Sequence, residues 1–192
     1  MRKSIFLLFI LCSLIANAAE PIYTFGESID LLPGRHGSYW HPKLTLTQCD
    51  SNGTDNLHMN MIEITMLNSE NYYQFPDSSK ILIKFNDNSI IELNSFGDVF
   101  KDYDTIEILH DIVSVYTTER FYVLTDDDFA KLMSLPIIKL RVELSNGNRK
   151  DWDIPESHGE KILKKLISSN EEITKLQKKR VQNTNTDLKS DF

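Results

Sequence analysis

Cysteine, glycine, proline and tryptophan are all scarce: the 192 residues hold two, seven, six and two of them. Cys12 lies inside an apolar N-terminal run, so once that run is set aside Cys49 has no partner. A fold stapled by intrachain disulfides is thereby excluded, and stability must come from an apolar core, which this length can supply. Few glycines at irregular spacing exclude collagen, and neither a Gly-rich phosphate loop nor a dinucleotide-binding fingerprint occurs. Cations are in deficit: 21 Lys and Arg against 28 Asp and Glu give a formal net charge of −7. That field disfavours phosphate backbones, so nucleic acid is not an expected partner. Long apolar runs are missing beyond the N-terminus, which excludes a polytopic membrane protein. What remains is 41% hydrophobic and 26% charged, the balance of a globular domain, with room for one domain or two small ones.

The N-terminus carries the most specific pattern. Arg2 and Lys3 precede an apolar run from Ile5 to Ile15, and Ala16-Asn17-Ala18 supplies the small-x-small spacing of a signal-peptidase site. The run is shorter than the roughly 20 residues that span a bilayer. Residues 1–18 are therefore read as a signal peptide, and the expected location is outside the cytoplasm, periplasmic or extracellular. Losing the two cations with the peptide takes the formal charge from −7 to −9. No transmembrane segment is expected in the chain that follows.

Residues 19–42 contain Pro21, Gly26, Pro33, Gly34 and Gly37 and read as an irregular arm. Residues 43–181 read as a single α+β domain. Alternation begins at Lys43-Leu44-Thr45-Leu46-Thr47. In the next strand the apolar phase switches from Leu57, Met59 and Met61 to Ile62, Ile64 and Met66, which predicts a bulge near Met61. Ile81 to Phe85, the turn Asn86-Asp87-Asn88-Ser89 and Ile90 to Leu93 predict a hairpin. Further strands are predicted over Thr105 to Leu109, Ile112 to Tyr116 and Phe121 to Leu124, with Thr117-Thr118-Glu119-Arg120 as a turn. Thr125 caps a short helix that carries Asp126-Asp127-Asp128 in its first turn and stops at Pro136. Ile138, Leu140, Val142 and Leu144 alternate cleanly, an Asn-Gly turn follows at Asn146-Gly147, and Trp152 and Ile154 continue the apolar face.

A capping box from Ser157 to Glu160 opens the last helix, whose stripe is Ile162, Leu163, Leu166, Ile167, Ile173 and Leu176. Lys175, Lys178, Lys179 and Arg180 crowd its end, where they suit the helix dipole. Residues 182–192 read as a flexible tail. The fold class expected is an antiparallel sheet of about seven or eight strands, covered by a short helix and a C-terminal amphipathic helix.

Chemical motifs are thin. His36 and His41 lack the further ligands a metal site needs, and no metal or cofactor is expected. Asp126-Asp127-Asp128 is accounted for by helix capping. Asp50-Ser51-Asn52-Gly53-Thr54-Asp55 departs from a calcium loop in its glycine position and lacks the closing glutamate. Asn52-Gly53-Thr54 fits a glycosylation acceptor, which matters only in a eukaryotic secretory pathway. Cys49 reads as a structural thiol. No Gly-x-Ser-x-Gly elbow or His-Glu-x-x-His helix occurs. The carboxylates are numerous, but a glycosidase pair is defined by a separation in space.

Lys80 to Leu166 resembles a type of small exported protein of Bacteroidota. The resemblance rests on Ile81-Leu82-Ile83-Lys84-Phe85, on Tyr122-Val123-Leu124-Thr125 leading into a short helix, and on Ile138-Lys139-Leu140-Arg141-Val142-Glu143 with an Asn-Gly turn before the terminal helix. It implies a cell-envelope setting and no particular activity. Asp104-Thr105-Ile106 is similar to the short O-glycosylation acceptor of that phylum, and the same stretch also reads as strand.

The function expected is a non-catalytic binding or interaction module of the envelope, its partner a protein or glycan. The alternative is a small envelope-polymer hydrolase using carboxylates. Contact with a membrane surface through the lysines of the last helix is disfavoured by the net negative charge. Candidate ligand-binding residues are Tyr39, Trp40, Tyr72, Tyr73 and Phe75, aromatics in Gly-, Asn- and Ser-rich segments where adjacent rings cannot all point inward.

Overall fold

Each apolar alternation in the sequence becomes a strand, and two polar stretches do as well. The computed structural model describes residues 22–34, 42–50, 58–108 and 110–190. The expected signal peptide, both histidines of the 36/41 pair, Tyr39, Trp40 and the Asn52-Gly53-Thr54 pattern lie outside them. The elements are β1 (Ile22–Asp30), β2 (Lys43–Asp50), β3 (His58–Asn68), β4 (Lys80–Phe85), β5 (Ile90–Ile108), β6 (Asp111–Val123), α1 (Asp126–Leu132), β7 (Ile137–Glu143), β8 (Arg149–Asp153) and α2 (Glu156–Ser190). All strand pairs are antiparallel, in one eight-stranded sheet of order β1-β2-β3-β6-β5-β4-β7-β8. This is the α+β class expected from the sequence. No helix among the described residues is long and apolar enough to cross a membrane.

Strand β5 joins the two halves of the sheet. Ile90–Asn94 pair with β4, and from Ser95 onward the strand pairs with β6. Beyond residue 100 these two strands run on as a ribbon whose tip turns at His110, with φ of 74°.

One face of the sheet is the core. Leu44 and Leu46 of β2, Ile62, Ile64 and Met66 of β3, Ile81, Ile83 and Phe85 of β4 and Leu140 and Val142 of β7 are all buried there. Helix α2 covers them with Ile162, Leu166 and Ile173. The stripe is narrower than expected, since Ile167 and Leu176 stay exposed, and Ser169 takes the buried place between Leu166 and Ile173. A small residue is needed there because Gly26 of β1 approaches Ser169 closely and the N–H of Glu27 donates to its Oγ. At the other end a Cβ on Gly159 would collide with the carbonyl oxygen of Ile137, so only glycine lets α2 lie directly on β7.

The structure corrects several sequence-based expectations. Residues 22–30, expected within an irregular arm, form edge strand β1, which bulges between Phe25 and Ser28 to admit Gly26 and Glu27. No bulge interrupts β3. Its register is continuous on both sides, and the phase switch arises because Met61 is buried on one face and Ile62, Ile64 and Met66 on the other. Thr117–Arg120, expected as a turn, lie within β6, where Thr118 and Arg120 are buried. Both are hydrogen-bonded internally: Thr118 Oγ1 accepts from the Tyr73 N–H, and Arg120 Nη2 donates to the Asp77 carbonyl and Ser95 Oγ. Helix α2 starts at Glu156, with the Pro155 carbonyl accepting from His158 and Gly159, so Ser157 sits in the first turn and does not cap. The helix also continues to Ser190, where a tail was expected.

Other local readings hold. Asn88 adopts positive φ in the β4–β5 turn, and Gly147 does so in the turn before β8. Thr125 and Asp128 form a reciprocal capping box on α1. Thr125→Ala is expected to lower stability by about 1 kcal/mol. Urea unfolding should show this as a lower midpoint with an unchanged slope.

Candidate functional site

The sheet face opposite α2 divides into two regions of different chemistry. Over β4, β7, β8 and the start of β5 it carries a charged ladder: Arg141 to Asp151, Lys139 to Asp151 and Asp153, and Lys80 to Glu92. These pairs are solvated and each adds little to stability. Over β1, β2, β3, β6 and the middle of β5 the same face is aromatic.

Register puts the aromatic side chains there. Tyr23 and Phe25 of β1 pair with Cys49 and Thr47 of β2. Thr47 pairs with Met61 of β3, and Met61 and Glu63 pair with Val123 and Phe121 of β6. Because partners share a face, Tyr23, Phe25, Glu63, Glu119 and Phe121 all point the same way. Strand β5 adds Phe96 opposite Phe121 and Phe100 opposite Glu119. Between them Gly97, Asp98 and Val99 face Arg120 alone, in a bulge that needs the positive φ of 70° at Gly97. The bulge is what brings both phenylalanines to one side.

Three strand-to-strand steps separate β1 from β6, about 14 Å along a flat sheet. The rings nonetheless meet. Ring centroids are 6.4 Å apart for Tyr23 and Phe121, 6.2 Å for Phe25 and Phe121, 6.0 Å for Phe100 and Phe121, and 6.5 Å for Tyr23 and Phe25. They lean inward across the small residues Thr45 and Thr47 of β2, with Phe121 as the hub. The result is a cleft of about 440 Å³ lined by Tyr23, Phe25, Phe96, Phe100 and Phe121 with Glu63, Gly97, Asp98 and Glu119. Tyr23, Phe25, Phe96 and Phe100 are 39% to 54% exposed, a concentration of open aromatic surface that a folded chain seldom leaves without use.

Glu63 lies within this lining, only 9% exposed. Burial pushes its carboxyl up to about 7, and the neighbouring Glu119, hydrogen-bonded to it, adds to the shift. Glu63 therefore holds a proton at moderately acid pH. Further along β2, the buried Cys49 thiol is hydrogen-bonded to Tyr23, and burial raises the pKa of both groups. A protonated thiol in this position agrees with the structural reading of Cys49.

The residues expected to bind a ligand do not build this cleft. Tyr39 and Trp40 lie outside the described residues. Tyr73 and Phe75 pack against the core. Tyr72 belongs to a separate group with Tyr116 and Tyr103, at centroid distances of 5.1 Å and 5.2 Å from one ring to the next, and Lys101 lies 5.6 Å above its ring. By the register of β6, that group sits on the α2 side of the sheet. The cleft residues left a trace in the sequence, as paired i, i+2 positions at Tyr23/Phe25 and Glu119/Phe121. Among the described residues, no group of three or more His, Cys, Asp and Glu side chains is placed to hold a metal ion.

Comparison with protein-family models, curated proteins and solved structures finds no match to this chain.

Proposed function

We propose that this protein is a non-catalytic binding module of the cell envelope and that the aromatic cleft receives its ligand. The observation that carries the reading is the convergence of half-exposed rings from three strands around a buried carboxylate. Core aromatics would be covered, and a purely structural acid would be solvated or paired with a cation. The volume suits a small molecule or one protruding group of a larger one. The envelope setting follows from the basic, apolar and small-x-small order of residues 1–18 and from the resemblance over Lys80 to Leu166.

The hydrolase reading is weakened by the same geometry. Glu63 and Glu119 are hydrogen-bonded to each other. A glycosidase pair stands roughly 5 to 9.5 Å apart, to leave room for a sugar carbon or a water.

The neutral fluorophore N-phenyl-1-naphthylamine tests the cleft. Saturable enhancement is expected with the wild type, and Phe121→Ala should weaken it about tenfold. Phe100→Ala, at the exposed rim, should weaken it less while leaving the thermal melt at its wild-type position. No saturable signal, or equal binding by all three proteins, would overturn the reading.

A further inference from the structure

Granted that the cleft is a ligand site, as proposed above, we infer that it selects an alkylated ammonium cation: a positively charged, poorly hydrated group that sits among the rings with its charge over Glu63 and Glu119.

Three properties of the lining point to a cation. The first is charge. Glu63, Asp98 and Glu119 line the cleft, and the lining includes no Lys, Arg or His. An anionic ligand would face three carboxylates in a partly desolvated space, where repulsion is strongest. The second is the rings. Tyr23, Phe25 and Phe100 each stand within 6.5 Å of a ring neighbour, and they meet Phe121 at interplanar angles of 33°, 50° and 87°. Walls tilted in this way present π faces from several directions, and a cation within about 6 Å of a ring centroid is attracted by its quadrupole. The third is Glu63 itself. A neutral apolar guest would strip the remaining water from a buried carboxylate and return nothing, whereas a cation compensates it. Alkylation matters because an N-methylated group loses little hydration on entering an aromatic enclosure, unlike a bare ammonium.

Binding is then coupled to pH. The titratable and charged groups that register places on the aromatic part of this face are Tyr23 and Asp30 of β1, Lys43 and Cys49 of β2, Glu63 of β3, Asp98, Asp102 and Asp104 of β5 and Glu119 of β6. Asp30, Lys43, Asp102 and Asp104 stand outside the lining, and burial favours the neutral forms of Tyr23 and Cys49. Glu63 is the group that changes charge near neutrality, so the empty cleft holds a proton below about pH 7 and a bound cation displaces it. Affinity should rise from pH 5 to pH 8 and then level off.

The test uses three probes of matched size against the full protein by calorimetry: butyltrimethylammonium, butylammonium and the uncharged isostere 3,3-dimethylbutan-1-ol. At pH 8 butyltrimethylammonium should bind about tenfold more tightly than the alcohol, with butylammonium between them. At pH 5 that preference should shrink. Glu63→Gln should remove most of the preference and all of its pH dependence, because the trimethylammonium loses its counter-charge and the alcohol no longer strips water from a carboxylate. Equal binding of the alcohol and the trimethylammonium at pH 8 would overturn the inference, as would a preference that survives Glu63→Gln. If the naphthylamine binds but none of the three small probes does, the cation inference fails and the cleft reading stands. If the naphthylamine fails as well, both fall. Phosphatidylcholine vesicles then separate the two sources of such a group. Co-sedimentation lost in Glu63→Gln assigns a lipid headgroup, and cation binding without co-sedimentation assigns a soluble molecule.

Discussion

Leu166→Asp is expected to unfold the domain or to lower its stability by about 4 kcal/mol or more. Leu166 is fully buried between Ile162 and Ile173 on α2, in the cluster that includes Leu44, Ile83, Leu140 and Val142. Truncating such a leucine costs about 2 to 5 kcal/mol on its own, and the aspartate adds an unpaired charge in an apolar site. Domains of this size carry only about 5 to 15 kcal/mol in total, so the variant sits at or beyond the edge of folding. Ile167→Asp is the control. That side chain is 40% exposed, one position further round the helix, and its replacement should shift the melt by a few degrees at most. A thermal melt unchanged by Leu166→Asp would show that α2 does not seal the sheet in solution.

The core was legible in the sequence because it obeys simple periods. Leu44 and Leu46, Ile81 and Ile83, and Leu140 and Val142 alternate with polar residues, and Ile162, Leu166 and Ile173 recur at helical spacing. Turn chemistry at Asn88, Gly147 and Thr125 was equally local, and the structure uses each as expected. The aromatic face was not legible, for two reasons. A strand buried on both faces has no clean alternation, so Met61 reads as a phase error when, with Glu63, it marks a second buried surface. Buried polar residues also imitate turns. Thr117-Thr118-Glu119-Arg120 look like a loop until Tyr73, Asp77 and Ser95, distant in sequence, hydrogen-bond to Thr118 and Arg120. With β6 cut at that point and β1 taken for an arm, neither Tyr23 and Phe25 nor Glu119 and Phe121 could be placed on one face. The site is a product of register, and register across β1-β2-β3-β6-β5 is a property of the whole sheet.

That register also puts a thermodynamic cost at Glu63, which makes the second large effect a gain. Glu63→Gln is expected to stabilise the protein at pH 8 by on the order of 2 to 3 kcal/mol, and to leave it near wild type at pH 4.5. The wild-type carboxyl titrates at about 7 when folded and near 4.5 otherwise, chiefly through burial and secondly through Glu119. Between those values the folded state holds the proton and the unfolded state has released it. Folded protein thus binds more protons, and stability falls as pH rises through this window. Below it both states are protonated and nothing is lost; above it the full cost of an ionised buried carboxylate is present. Glutamine keeps the shape and a hydrogen bond to Glu119 but does not titrate, so its stability should lack this descent. Urea unfolding of both proteins at pH 4.5, 6 and 8 reads the difference directly. The two should converge at the lowest pH and separate progressively above it. Parallel profiles would mean that Glu63 is solvated in the folded state, and the cleft would then lose the buried charge that gives it a reason to prefer a cation.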